Sequence, residues 1–210
     1  MTSWLHDQRL EAVCQAVRES GARSVLDLGC GDGDLILRLA AGGESGESGR
    51  IKRIVGIDIC ADALARLRGR LATLDDDDTE GGAGDRARIE LVHGSMTEPG
   101  PALAGFDCAV LLETIEHIAP DRLSVLERAI FARMRPATVI ITTPNAEFNH
   151  LLGVPPHRFR HPDHHFEWDR DKFRRWATGV AARNGYRVDC HTIAGNHPTL
   201  GGASQMAVFN

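Results

Sequence analysis

The chain has 210 residues, of which 42% are hydrophobic, and carries a formal net charge of −5. That is enough apolar material for one ordinary domain, residues 1–210, with a sizeable core, and the negative balance argues against a protein that coats nucleic acid through a broad basic surface. Five dispersed cysteines without a C-x-x-C pair point to no disulfide framework and fit a reducing cytoplasm; no stretch approaches the ~20 apolar residues of a membrane span, which predicts a soluble protein.

From Leu5 to Glu19 the apolar spacing is helical and ends at Gly21. "SVLDLGCGDGDLILRLA" then reads as strand, glycine-rich turn and helix, followed by a polar loop over Gly42 to Arg50. "RIVGIDIC" is a second buried strand and "ADALARLRGRLATL" an amphipathic helix behind it, while "DDDDTEGGAGDR", from Asp75, is a solvated loop. "ARIELVHGSM", "FDCAVLLETI" and "ATVIITTPN" are three more strands, with the helix "DRLSVLERAIFARM" before the last. Strands alternating with helices predict an α/β fold with parallel pairing, helices on both faces, and ligands at the carboxyl ends of the strands.

Two places at those ends carry chemistry. In "DLGCGDG", Asp27, Gly29, Gly31 and Gly33 follow a strand at two-residue intervals, where glycines admit a ligand close to the backbone and the next helix offers its amides. This resembles the D-x-G-x-G-x-G motif of the class I S-adenosylmethionine-dependent methyltransferases. That resemblance implies a Rossmann-like, mostly parallel seven-stranded sheet, Asp58 on the cofactor ribose, Ile59 on the adenine face, and Ser95 and Met96 near the adenine.

In "LLETIEHI", Glu113, Glu116 and His117 share one face if a helix begins near Glu113, a disposition suited to a metal. A helix dipole alone explains one or two glutamates but not the histidine. Downstream, "HRFRHPDHHFEW" holds His157, His161, His164 and His165, four of the chain's ten histidines. Together, "ETIEHI", "TTPNAEFN" and "HPDHHFEW" resemble the E-x-x-E-H, T-P-N-x-E-[FY]-N and D-H-x-F-E-W motifs of the small-RNA 3′-terminal ribose 2′-O-methyltransferases.

That resemblance implies metal ligands at Glu113, Glu116, His117 and His164, substrate contacts from Arg9, Asn145, Arg160 and His165, and a metal and RNA-end site within residues 111–168. It assigns no role to His161, and it leaves Phe166, Glu167 and Trp168 to shape the loop. It implies methyl transfer from S-adenosylmethionine to the 2′-hydroxyl of an RNA 3′ end, assisted by a divalent ion. Two glutamates and two histidines leave a six-coordinate ion two positions for the terminal 2′ and 3′ oxygens, and imidazole ligands favour Mn²⁺ over Mg²⁺. An RNA-repair kinase-phosphatase or ligase is the implied partner. Arg158, Arg160, Lys172, Arg174 and Arg175 are either a local patch for the RNA end or a solvated face. A catechol-type small-molecule O-methyltransferase shares "DLGCGDG" and E-x-x-E-H, and a non-catalytic RNA-end-binding module is the other alternative.

Overall fold

The computed structural model describes residues 2–41, 51–76 and 87–210. The two polar loops expected over 42–50 and from Asp75 onward fall outside the described residues, except that Asp75 and Asp76 close a helix. Seven strands form one sheet: β1 (Ser24–Leu28), β2 (Arg53–Asp58), β3 (Arg88–His93), β4 (Cys108–Leu111), β5 (Thr138–Pro144), β6 (Val188–Ile193) and β7 (Ser204–Phe209). Their order is β3-β2-β1-β4-β5-β7-β6. All pairings among β1 to β5 are parallel, and β7 enters antiparallel between β5 and β6.

Strand alternation divides the core between the two faces. Val25, Ile54, Cys108, Val110 and Ile140 point to one face, covered by α1 (Thr2–Glu19), α2 (Asp34–Ala41) and α3 (Ala61–Asp76) through Leu10, Val13, Val17, Leu35, Ile36, Leu64 and Leu67. Leu26, Leu28, Ala109, Leu111, Val139 and Ile141 point to the other, against α4 (Leu123–Glu127) with its continuation and α5 (Arg170–Asn184). Burial on both faces explains why these strands read as continuous apolar runs instead of alternating ones.

The helix expected over "DRLSVLERAIFARM" is only partly α-helical. Pro120–Arg122 is a 3₁₀ turn, α4 follows, and Arg128–Met134 widens into a π-helix closed by Arg135 in the left-handed region at φ 47°. The wide turn buries the consecutive residues Ala129, Ile130 and Phe131 together, which an ordinary amphipathic stripe does not do.

The strand order reverses at β1, which has β2 on one side and β4 on the other. Crevices at the carboxyl ends of strands form beside such reversals. The glycine loop after β1 and the acidic turn after β4 are therefore neighbours.

Candidate active site

On the β1–β2 side, Asp58 accepts hydrogen bonds from the Gly31 amide through Oδ2 and the Cys60 amide through Oδ1, each at 2.8 Å. The acidic strand end thus fixes the glycine loop. Gly31 adopts φ 51° with open space where a Cβ would stand, so a side chain there would be strained and would project into the ligand crevice. Gly33 serves packing instead: a Cβ would fall 2.2 Å from Leu67 of α3. A Cβ on Gly29 would lie 3.5 Å from the Met96 methyl, which places the "HGSM" turn beside the loop. Ser95 shares a 2.7 Å hydrogen bond with Thr97, and Ile59 is 72% exposed, an apolar face open to a ligand. Asp27 is buried beneath, its carboxyl pushed up to about 7 by burial and by the Asp58 charge. Asp58, the glycine loop and the turn of Met96 therefore lie together at the carboxyl ends of β1 to β3, with Asp27 buried and Gly33 packed against α3.

After β4 the chain corrects one expectation. No α-helix begins near Glu113; a single 3₁₀ turn spans Ile115–His117, and Glu113 itself sits at φ 50°. A glutamate in the left-handed region is strained, and β4 and β5 hold it there: its amide donates to Thr142 Oγ1 at 2.9 Å. The one-face disposition of Glu113, Glu116 and His117 arises from this kinked turn and not from helical periodicity.

The two carboxylates are incompletely partnered. Glu113 Oε2 accepts from Ser204 Oγ at 3.2 Å and lies 3.4 Å from Arg9 Nε, and Glu116 Oε2 accepts from Thr143 Oγ1 at 3.0 Å. Glu113 Oε1 and Glu116 Oε1 are buried with no hydrogen-bond partner. Glu116 is fully buried, and burial together with the Glu113 charge raises its carboxyl well above the usual glutamate range. Orphaned acceptors side by side suit a cation, which would satisfy both.

The histidines complete the set. His117, His161 and His164 each present one ring nitrogen, all within 4.8 Å of one another. His164 is anchored by Glu167 Oε1 at 2.6 Å from Nδ1, leaving Nε2 as its free ligand atom. Burial, then the neighbouring His164, pulls the His117 pKa below its ordinary value, which favours the neutral ring a ligand must be. The His117–His161–His164 cluster is one feature that suits a divalent ion, and the buried, unpartnered oxygens of Glu113 and Glu116 in the same turn as His117 are a second.

The residues expected at the substrate fare differently. Arg160 turns inward: Nε donates to Asn149 Oδ1, and its terminal nitrogens donate to the carbonyls of Ala203 and Asn145. Asn145 is fully buried, its amide donating to the carbonyls of Leu200 and Gly202. Both are bound into the protein, where they pin the histidine loop to the β7 approach. Arg9 reaches the site from α1 and donates to Ser204 Oγ at 3.0 Å. His165 is exposed, its amide donating to the Glu116 carbonyl at 2.8 Å. The suggested basic patch divides: Arg160 points inward, Arg174 pairs with Asp171 at 3.1 Å, and Lys172 lies 5.4 Å over the Trp168 ring.

Phe166 and Trp168 are buried and stacked at 4.2 Å, and Glu167 joins His164, Asn149 and the Arg160 amide, so this triplet shapes the loop. Thr143, Ser204 and His161 had no role assigned from sequence. For His161 the clustering itself was the available signal; for Thr143 and Ser204 there was none.

Comparison with known proteins shows what the whole chain is similar to. A family model described as "Methyltransferase domain" matches residues 5–191. A small RNA 2′-O-methyltransferase of Gallus gallus is 38% identical over 98% of this chain and 53% of its own length, so the chain spans about half the length of that curated relative. The crystal structure of the methyltransferase domain of bacterial CtHen1-C is 35% identical, with a TM-score of 0.80 over 98% of both chains. That of the small RNA methyltransferase HEN1 is 31% identical, with a TM-score of 0.84 over 98% of this chain and 26% of its own.

Proposed function

The chain belongs to the small-RNA 2′-O-methyltransferase family, as a methyltransferase domain of it, and on that premise we propose that it transfers the methyl group of S-adenosylmethionine to the 2′-hydroxyl of the 3′-terminal ribose of RNA. The observation that carries the reading is the pair of buried, unpartnered oxygens on Glu113 and Glu116, in the turn that also carries His117, one of three clustered imidazoles. A catechol-type enzyme accounts for the crevice and the acidic turn but supplies no reason for the "HPDHHFEW" loop to close over them.

The glycine loop and Asp58 hold the cofactor, with Ile59 and Met96 against its adenine. Glu113, Glu116, His117 and His164 would hold a divalent ion, Mn²⁺ in preference to Mg²⁺ because two donors are nitrogen. When bound, that ion supplies a Lewis acid that lowers the pKa of the ribose hydroxyl. Glu167 keeps the His164 ring oriented, and Thr142, Thr143 and Ser204 hold the glutamates in their strained turn. Arg9 offsets the Glu113 charge, and with His165 it borders the opening through which an RNA end would enter. The proposed setting is protection or repair of RNA ends in the cytoplasm, with a kinase-phosphatase or ligase as partner. Among the described residues no helix is long and apolar enough to cross a membrane.

Methyl transfer to matched short RNAs tests the reading. An RNA with a 2′,3′-diol end should be methylated, and RNAs ending in 2′-deoxyribose, 3′-deoxyribose or 3′-phosphate should be poor substrates. Methylation of catechols but of none of the RNAs would favour the small-molecule alternative; cofactor binding without transfer to any acceptor would favour the non-catalytic module.

A further inference from the structure

Three histidines meet at this site where the proposed ligand set uses two. His161 has a ring nitrogen within 4.8 Å of those of His117 and His164. The rings are not packed face to face: His161 lies 5.6 Å from His164 at 41° and 5.9 Å from His117 at 67°, so their edges converge. A solvated surface loop has no reason to bring three imidazoles together edge-on, since mutual repulsion disfavours it whenever any two are protonated.

His164 and His161 are held very differently. The His164 side chain is 8% exposed and locked at 2.6 Å to a Glu167 carboxylate that is itself 1% exposed. The His161 side chain is 54% exposed, and its Nδ1 is engaged only by the Asp163 amide at 3.2 Å. Asp163 Oδ2 stands 3.8 Å from that nitrogen, beyond hydrogen-bond distance, so no carboxylate fixes the His161 ring as Glu167 fixes His164.

We propose that His161 is a third, exchangeable imidazole donor to the divalent ion, which it holds between turnovers and releases when an RNA 3′ end arrives. The inference rests on the reading of Glu113, Glu116, His117 and His164 as the fixed ligands. Its chemical logic is the contrast in anchorage. Rigid donors set the position of the ion, and a loosely tethered donor at the solvent edge occupies a place that the terminal ribose later takes, at little rearrangement cost. A third nitrogen donor also strengthens the preference for a transition metal over Mg²⁺.

X-ray absorption of the Co²⁺-loaded protein counts coordinated imidazoles without requiring turnover. Wild type should show three, falling to two when an RNA with a 2′,3′-diol end is added together with S-adenosylhomocysteine. His161→Ala should show two in both conditions. It should also bind Co²⁺ and Mn²⁺ at least ~10-fold more weakly by calorimetry, because even an outer partner of a ligand is commonly worth ~10–100-fold. The exposed position of His161 leaves the fold intact, which an unchanged thermal melt checks. Two imidazoles in RNA-free wild type, with unchanged affinity in His161→Ala, would overturn the role of His161 and leave the four-ligand reading standing. Three imidazoles persisting with RNA bound would overturn the exchange. Failure of wild type to bind either metal would overturn both.

Discussion

Replacing Glu116 by glutamine keeps its shape and removes its charge, and the structure assigns opposite signs to the two consequences. Without metal, wild type carries a buried carboxylate whose Oε1 has no partner and whose charge Glu113 opposes. An unsatisfied buried polar atom costs about 1–3 kcal/mol, and more for a charge. Glutamine removes that buried charge, so wherever the wild-type carboxyl is ionised the metal-free Glu116→Gln should be more stable than wild type by about 1–3 kcal/mol. At ~2–4 °C per kcal/mol for a chain of this size, that is a rise of roughly 2–12 °C. The gain should shrink as pH falls, because a carboxyl with a raised pKa protonates early and wild type then loses its penalty. With Mn²⁺ at ~100 times its dissociation constant, wild type should gain about 2.7 kcal/mol, or roughly 5–11 °C, and the variant should gain almost nothing. Thermal melts at pH 6 and pH 8, with chelator or with Mn²⁺, read all four quantities. A variant less stable than wild type in chelator that still rises with Mn²⁺ would refute the argument that these oxygens await a cation.

Gly31→Val and Asp58→Ala should each weaken S-adenosylmethionine binding in calorimetry while leaving Mn²⁺ affinity unchanged, since both lie on the cofactor side of the crevice. Glu113→Ala, Glu116→Ala, His117→Ala and His164→Ala should each lose methyl transfer by orders of magnitude, and His157→Ala should be milder. Arg160→Met removes hydrogen bonds to Asn149 and to two carbonyls, so the protein should lose about 3 kcal/mol or more, read as a fall of roughly 6–12 °C in Tm. The Asp27 carboxyl is raised to about 7 in the folded chain, so its proton is held more tightly there than in the unfolded one. Stability of the ligand-free protein should therefore fall as pH rises from about 4 to about 7, by on the order of 2–4 kcal/mol, and Asp27→Asn should flatten that part of the profile.

Local signals carried most of the fold. The five parallel strands announced themselves as apolar runs bounded by glycine or acidic residues, and the glycine loop was legible because backbone conformation and ligand approach both demand glycine there. The carboxyl-terminal pair β6 and β7 was not read from the residues. In β6 only Ile193 is buried, so "VDCHTI" offers a weak pattern, and the antiparallel insertion of β7 depends on long-range pairing that no window contains. The acidic turn was placed correctly but given the wrong backbone, because strain at Glu113 is imposed by Thr142 on another strand. Arg160 and Asn145 were expected at the substrate, and the structure adds that both are hydrogen-bonded within the protein. Their partners are carbonyls near residue 203, invisible until the chain folds back.

The position of β7 bears on how this protein comes into being. It is the last strand along the sequence and yet an interior one, flanked by β5 and β6, and its first residue, Ser204, holds Glu113. A nascent chain that has emerged only as far as the histidine loop has every proposed metal ligand but lacks Ser204 on Glu113, the Ala203 carbonyl on Arg160 and the Leu200 and Gly202 carbonyls on Asn145. On the proposed ligand set, ion capture would be completed only when the β6–β7 hairpin pairs with β5, a step of large sequence separation and correspondingly slow closure. Loss of a few residues from β7 would accordingly be felt first as a failure to acquire metal, and a pool of free Mn²⁺ during expression should rescue slow maturation better than it rescues a shortened chain.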